Sequence, residues 1–143
     1  MHSEADANAL HVREIGHSVC IGAGPASESY LKIDAVIAAA KSVGADAIHP
    51  GYGFLAENSD FARAVEAASM VFMGPTPDTL DRFGDKASAK EAAVAAGVPV
   101  ISGAEGAWSD PQEIAVEVRA MGLPDLLKAV GGGGGRGQRL VAD

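Results

Sequence analysis

Apolar positions recur along this chain in two alternating rhythms. The stretch at 34–43, "DAVIAAAKSV", is alanine-rich and spaced for a helix, and Gly44 stands where a helix C-terminal glycine belongs. "ADAIHP" at 45–50 then reads as a short strand ending in a turn. The cycle repeats. "SDFARAVEAA" at 59–68 puts Phe61, Ala62, Val65 and Ala68 on one helical face, with Ser59 as the expected N-cap, and "MVFMG" at 70–74 reads as a second buried strand. "TPDTLDRFG" at 76–84 opens with Thr76 as N-cap and Pro77 at the first helical position. Next come a helix at 88–97, "SAKEAAVAAG", with Ser88 able to cap it, and a strand at 98–102, "VPVIS". A helix at 112–122 is announced by Asp110, Pro111 and Glu113 as a capping box. "LLKAV" at 126–130 and "QRLVA" at 138–142 are predicted to pair as strands on either side of a glycine run.

Strands separated by helices of about ten residues predict an α/β fold with a mainly parallel sheet. The rhythm changes near residue 75. We therefore read a first domain over 1–75, a helical connection over 76–100 and a second domain over 101–143. No internal repeat is visible, and the glycine run is the only low-complexity segment.

Composition narrows the picture. Of the 143 residues, 48% are hydrophobic and 21% charged, as in ordinary globular proteins. Nineteen acidic against eleven basic residues give a net charge of −8, which argues against nucleic-acid and anionic-membrane binding. Local lysines can still outweigh that global charge at a nucleotide site. The single cysteine, Cys20, excludes an internal disulfide and a cysteine-cluster metal site, and His2, His11, His17 and His49 have no metal-ligand spacing. Apolar runs such as "AVIAAA" fall far short of a membrane span, and the N-terminus carries no signal-peptide pattern. A cytoplasmic, reducing setting is the expectation.

Three stretches carry candidate chemistry. The first is "KAVGGGGGRG", from Lys128 to Gly137. A glycine run is often a flexible linker. This one is bounded by β-type segments and by Lys128 and Arg136, and glycine lets backbone N–H groups approach an anion unobstructed. That setting favours a phosphate-binding hairpin, although the run matches neither the P-loop nor the dinucleotide fingerprint. The second is "HPGYGFLAENSDF" at 49–61, a loop between a predicted strand and helix, the place where open α/β sheets bind ligands. It offers His49, Tyr52 and Glu57, with Gly51 and Gly53 to bend the backbone. It serves equally as a turn whose Asn58 or Ser59 caps the next helix. The third is "GDKASAK" at 84–90, where Lys86 and Lys90 taken singly read as surface charges.

Together these stretches resemble the biotin carboxylase family, the ATP-grasp component of acyl-CoA, pyruvate and urea carboxylases. "HVREIGHSVCIGAGPASESYL", "ADAIHPGYGFLAEN", "FMGPTPDTLDRFGDKASAK", "AGVPVISG" and "KAVGGGGGRG" stand in the family's order and near its spacing, over almost the whole chain. "HPGYGFLAEN" is the most specific of them. The resemblance implies a Rossmann-like (pre-ATP-grasp) parallel sheet followed by the start of an ATP-grasp domain. It also implies a reaction in which ATP and bicarbonate form carboxyphosphate, whose CO2 passes to biotin on a carrier. By position, Lys86 and Lys128 would contact ATP phosphates, and Gly132, Gly133, Gly134 and Gly135 would form the lid over the nucleotide. Tyr52 and Gly53 would line the biotin pocket, with Glu57 in the same loop. The partners implied are a biotin carboxyl carrier, a carboxyltransferase and a second copy of the chain as homodimer.

The resemblance also implies sequence on both sides. Upstream, the family has further strands, so the sheet is expected to be incomplete at its N-terminus. Downstream lie the Mg2+-binding acids, the base for bicarbonate, the adenine-binding segment and the catalytic arginine. The 143-residue chain alone is therefore expected to be inactive, and no catalytic or metal-binding residue is assigned within it. Three features depart from the family, the first being "EIGHS" at 14–18, where an acidic "AD" segment is typical. Asp125 stands where a branched apolar residue is usual, a costly choice if the site is buried and unpaired, and Gln138 replaces a usual methionine.

Overall fold

The computed structural model describes residues 1–101, 103, 108–130 and 137–142. They form two compact units, Met1–Asp81 and Arg82–Asp143.

The first unit contains α1 (Leu10–Ile15), α2 (Ile33–Ser42), β1 (Ala47–Ile48), α3 (Ser59–Ala67), β2 (Val71–Phe72) and the opening of α4 (Pro77–Gly84). The predicted βαβ alternation is present. β1 and β2 run parallel, with Ala47 opposite Val71 and Ile48 opposite Phe72. The Val71 amide donates to Asp46 O at 2.9 Å and the Met73 amide to Ile48 O at 2.9 Å. Both strands are shorter than the apolar runs predict, because a strand extends only as far as its neighbour offers hydrogen bonds. A second parallel pairing joins His2 to Cys20. An apolar cleft lined by Met1 and Ile21 from one pairing and by Ala47 and Ile48 from the other lies within this unit.

Helix α3 explains the core. Its predicted face is the buried one: Phe61, Ala62 and Val65 are each at most 2% exposed. Phe61 meets Phe72 of β2 edge to face at 5.8 Å. Val36, Ala39 and Ala40 of α2, Ile21 from the segment before it, and Ile48, Leu55, Met70 and Leu80 complete the cluster. Of the two caps the sequence offered, the structure uses the earlier. Asn58, not Ser59, has the extended backbone of an N-cap, and its Oδ1 accepts from the Phe61 amide at 2.7 Å. On the outer side Arg63 hydrogen-bonds Asp81 and lies 3.7 Å from Asp60 and 3.5 Å from Asp78. These side chains are about half exposed or more, so the cluster orients α3 and α4 and adds little stability.

The N-terminal segment is tied down by polar contacts. Ser3 is fully buried. Its amide donates to the Tyr30 hydroxyl at 2.9 Å and its hydroxyl to Asp6 Oδ2 at 2.8 Å, while the Tyr30 hydroxyl donates to the same carboxylate at 2.5 Å.

The second unit contains α5 (Lys86–Ala95), α6 (Pro111–Met121), β3 (Asp125–Lys128) and β4 (Gln138–Val141). As predicted, β3 and β4 pair, here antiparallel, with Leu126 opposite Leu140 and Lys128 opposite Gln138. Asp110 caps α6 by accepting from the Gln112 amide at 2.7 Å. The predicted strand at 98–102 does not form over 98–101, and residue 102 lies outside the described residues. Its apolar content alone sufficed for the prediction, but a strand needs a partner, and none of the described residues pairs with it. Asp125 is half-buried, and its Oδ1 accepts from the Leu126 amide at 2.8 Å, so it is not an unpaired buried carboxylate. No helix among the described residues is long and apolar enough to cross a membrane.

The Asp6 carboxyl is held below the ordinary carboxylate range, first by the Tyr30 hydroxyl and then by that of Ser3. A carboxylate favoured in the folded chain contributes stability above its unfolded pKa, about 4, and loses it as pH falls through the lower folded value. Acid titration of stability should therefore show a decline below about pH 4 that is shallower in Asp6→Asn. An identical acid limb in the variant would remove Asp6 from the account. At the core, Phe61→Ala should cost about 3–5 kcal/mol in denaturant unfolding.

Candidate functional site

Two of the three candidate stretches can be built up from the described residues, each within one unit.

In the first unit the loop 49–57 leaves the carboxyl end of β1 and leads into α3. Its ends are fixed. The Gly51 amide donates to His49 Nδ1 at 3.0 Å, Leu55 is buried in the core, and Asn58 caps α3. Within it the Ala56 amide donates to Gly53 O at 2.9 Å and the Asn58 amide to Leu55 O at 3.1 Å. Tyr52 is 96% exposed, and Gly53 and Glu57 are also exposed. Tyr52, Gly53 and Glu57 are thus on one short loop, facing solvent and anchored at both ends.

In the second unit Lys86 is the first residue of α5. A cation there opposes the helix macrodipole. The preceding Asp85 meets the local need instead: its side chain accepts from the Ser88 amide at 2.8 Å. That hydrogen bond is the leading cause that holds its carboxyl below the usual range. Asp85 rather than Ser88 is therefore the cap, and the helix begins two residues before the predicted 88. The Lys86 ammonium reaches the end of β3, donating to Ala129 O at 3.3 Å and Val130 O at 2.9 Å. These two residues directly follow Lys128, which is exposed at the strand's last position. Two cations 42 positions apart in sequence are thereby associated with one strand end, in a chain of net charge −8.

The hairpin tightens beyond its ladder. The Ala129 amide donates to Gly137 O at 2.7 Å. Gly137 has φ +70, and a Cβ there would stand 2.7 Å from that of Ala129. Only glycine meets both conditions without strain. The candidate lid residues Gly132, Gly133, Gly134 and Gly135 lie outside the described residues. Among the described residues no group of three or more metal-ligating side chains occurs.

The arrangement places cationic side chains at the end of β3 and an exposed aromatic and a carboxylate on the loop after β1. The profile of the biotin carboxylase N-terminal domain matches residues 1–80. The chain belongs to the biotin carboxylase family. Residues 85–143 match the ATP-binding domain of the carbamoyl-phosphate synthase L chain. A biotin carboxylase of Pseudomonas aeruginosa is 51% identical over the whole of this chain. The alpha chain of human mitochondrial propionyl-CoA carboxylase is 43% identical, also over the whole chain. A crystal structure of the Campylobacter jejuni biotin carboxylase in complex with β,γ-ATP superposes with a TM-score of 0.92 at 45% identity over 99% of this chain. Pyruvate carboxylase of Rhizobium etli gives 0.85 at 42% identity over 99% of this chain. The chain spans about a third of the curated biotin carboxylases it matches (32% of the Pseudomonas protein), 20% of the human alpha chain, and 32% and 13% of the two structures.

Sequence reasoning missed Tyr30, Asp6 and Asp85 as organisers of these loops. For Asp85 a signal was present, because Asp just before a helical stretch is among the favoured N-cap residues. For Tyr30 and Asp6 the contact spans 24 residues and left no local trace.

The hairpin carries a direct check. Gly137→Ala should destabilise the second unit by about 1–3 kcal/mol and speed exchange of the Ala129 amide. Unchanged protection at Ala129 would show that the tight approach of Gly137 is not needed.

Proposed function

We propose that this chain carries the ATP-phosphate lysines and the biotin-facing loop of a biotin carboxylase, which uses ATP and bicarbonate to carboxylate biotin on a carrier. The observation that carries the reading is the reach of the Lys86 ammonium to the Ala129 and Val130 carbonyls, which directly follow Lys128 and precede the glycine run in sequence. Phosphoryl transfer depends chiefly on positioning and on neutralising charge, and two ammonium groups with a glycine-rich backbone are the tools it requires. In this reading Lys128 and Lys86 hold the phosphates, with Gly132, Gly133, Gly134 and Gly135 covering them. Mg2+ would add charge neutralisation at the phosphates. No ligand set for it is assigned among the described residues. Tyr52, Gly53 and Glu57 meet the biotin ring at the end of β1, the usual ligand position in a parallel α/β sheet.

The related structures support the choice of ligands. The Campylobacter enzyme was crystallised as a β,γ-ATP complex, and the biotin carboxylase domain dimer of Hydrogenobacter thermophilus 2-oxoglutarate carboxylase with MgADP and bicarbonate. The Hydrogenobacter domain was crystallised as a dimer, which supports a homodimer here, and a biotin carboxyl carrier and a carboxyltransferase are the further partners in this reading. The cytoplasmic setting belongs to the same proposal.

Calorimetric titration of MgATP into the 143-residue chain tests the phosphate assignment. Lys128→Ala and Lys86→Ala should each weaken binding about tenfold or more, the loss expected for one charge-assisted contact. Equal affinity in the parent and both variants would overturn it.

A further inference from the structure

The loop 49–57 contains a backbone conformation that its sequence does not favour. Phe54 has φ +46, in the left-handed region where a bulky side chain crowds its own backbone. Such a conformation persists only where neighbouring structure imposes it. Phe54 is 64% exposed, so it is not held by immersion in the core. Its ring instead stacks on Tyr30, with centroids 5.3 Å apart and planes inclined at 21°.

Tyr30 is itself fixed at its far end. Its hydroxyl donates to Asp6 Oδ2 and accepts from the Ser3 amide. Ser3 is fully buried, so a Tyr30 ring that swung away would leave that amide without a partner. The chain of contacts runs from residues 3–6 through Tyr30 to Phe54, whose neighbours Tyr52, Gly53 and Glu57 are the exposed face of the loop.

We infer that Tyr30 is a positioning residue for this loop: clamped by Asp6 and Ser3, it holds Phe54 in its left-handed turn and so fixes how Tyr52 and Glu57 are presented. The consequence for biotin rests on the reading above; the clamp on the loop does not.

Amide exchange followed by NMR on the 143-residue chain tests the clamp. Phe54→Leu removes the ring at an exposed position while keeping the backbone penalty. Tyr30→Phe keeps the stacking ring and removes its hydroxyl. In both, the Ala56 and Asn58 amides should exchange about tenfold faster, while the amides of α2 and the second half of α3 keep their parent rates. In Tyr30→Phe the upfield ring-current shifts of the Phe54 protons should also shrink. The inference is overturned if loop exchange stays within about twofold of the parent in either folded variant. Where Tyr30→Phe does not fold, Phe54→Leu alone decides. Neither readout involves biotin, so failure here is distinct from failure of the biotin assignment.

Discussion

The parallel ladder between β1 and β2 is only two residue pairs deep, and the arrangement of the first unit depends on it. It fixes the carboxyl end of β1, where the 49–57 loop departs, and it sets the line along which α3 must return to reach β2. A ladder this short cannot hold itself together, since isolated two-stranded pairings are marginal in water. What holds it is the face of α3: Phe61 against Phe72, with Ala62 and Val65 excluded from solvent. The apolar spacing of 59–68 therefore does more than form a helix. It determines where the loop begins and ends, because Leu55 and Asn58 are bound into the same packing.

The second unit is organised differently. Among its described residues Val118 is the only buried apolar side chain, and Leu126 and Leu140 of the hairpin are exposed. Its candidate site is set by polar contacts rather than by a core. Asp85 satisfies the start of α5, and the ammonium of the next residue, Lys86, reaches the carbonyls after Lys128. A cation in the first turn of a helix is a local misfit. Local misfits that the surroundings compensate are where function is found.

Much of this was legible in the sequence, and the exceptions have physical causes. Helices were read well because their 3.6-residue period is a local property. Their caps were read less closely, with α3 capped by Asn58, one of two candidates, and α5 by Asp85 in place of Ser88, since the cap is decided by backbone angles that composition does not specify. The strand at 98–102 failed because strands, unlike helices, need a partner. Asp125 shows the same limit at one side chain. Its polarity looked costly until the structure supplied an amide donor from the next residue. The Tyr30–Asp6 contact was invisible because nothing in either residue's neighbourhood announces the other.

The charge of the chain bears on how it could hold an anion at all. A net charge of −8 repels a nucleotide in general, yet such repulsion is screened over about 8–10 Å at ordinary salt. Within that distance the local arrangement governs. At the end of β3 it comprises Lys128 and Lys86, the second held there by two carbonyl oxygens. An ammonium already bound to carbonyls has lost much of its rotamer freedom before an anion arrives. That entropy would otherwise be lost on binding, so tethering Lys86 favours association without adding a contact. The loop after β1 follows the same principle with different chemistry. There a stacked ring and a clamped hydroxyl, rather than carbonyls on an ammonium, restrict the backbone that presents Tyr52. Both candidate sites thus sit at strand ends, exposed in their recognition groups and fixed in the groups behind them.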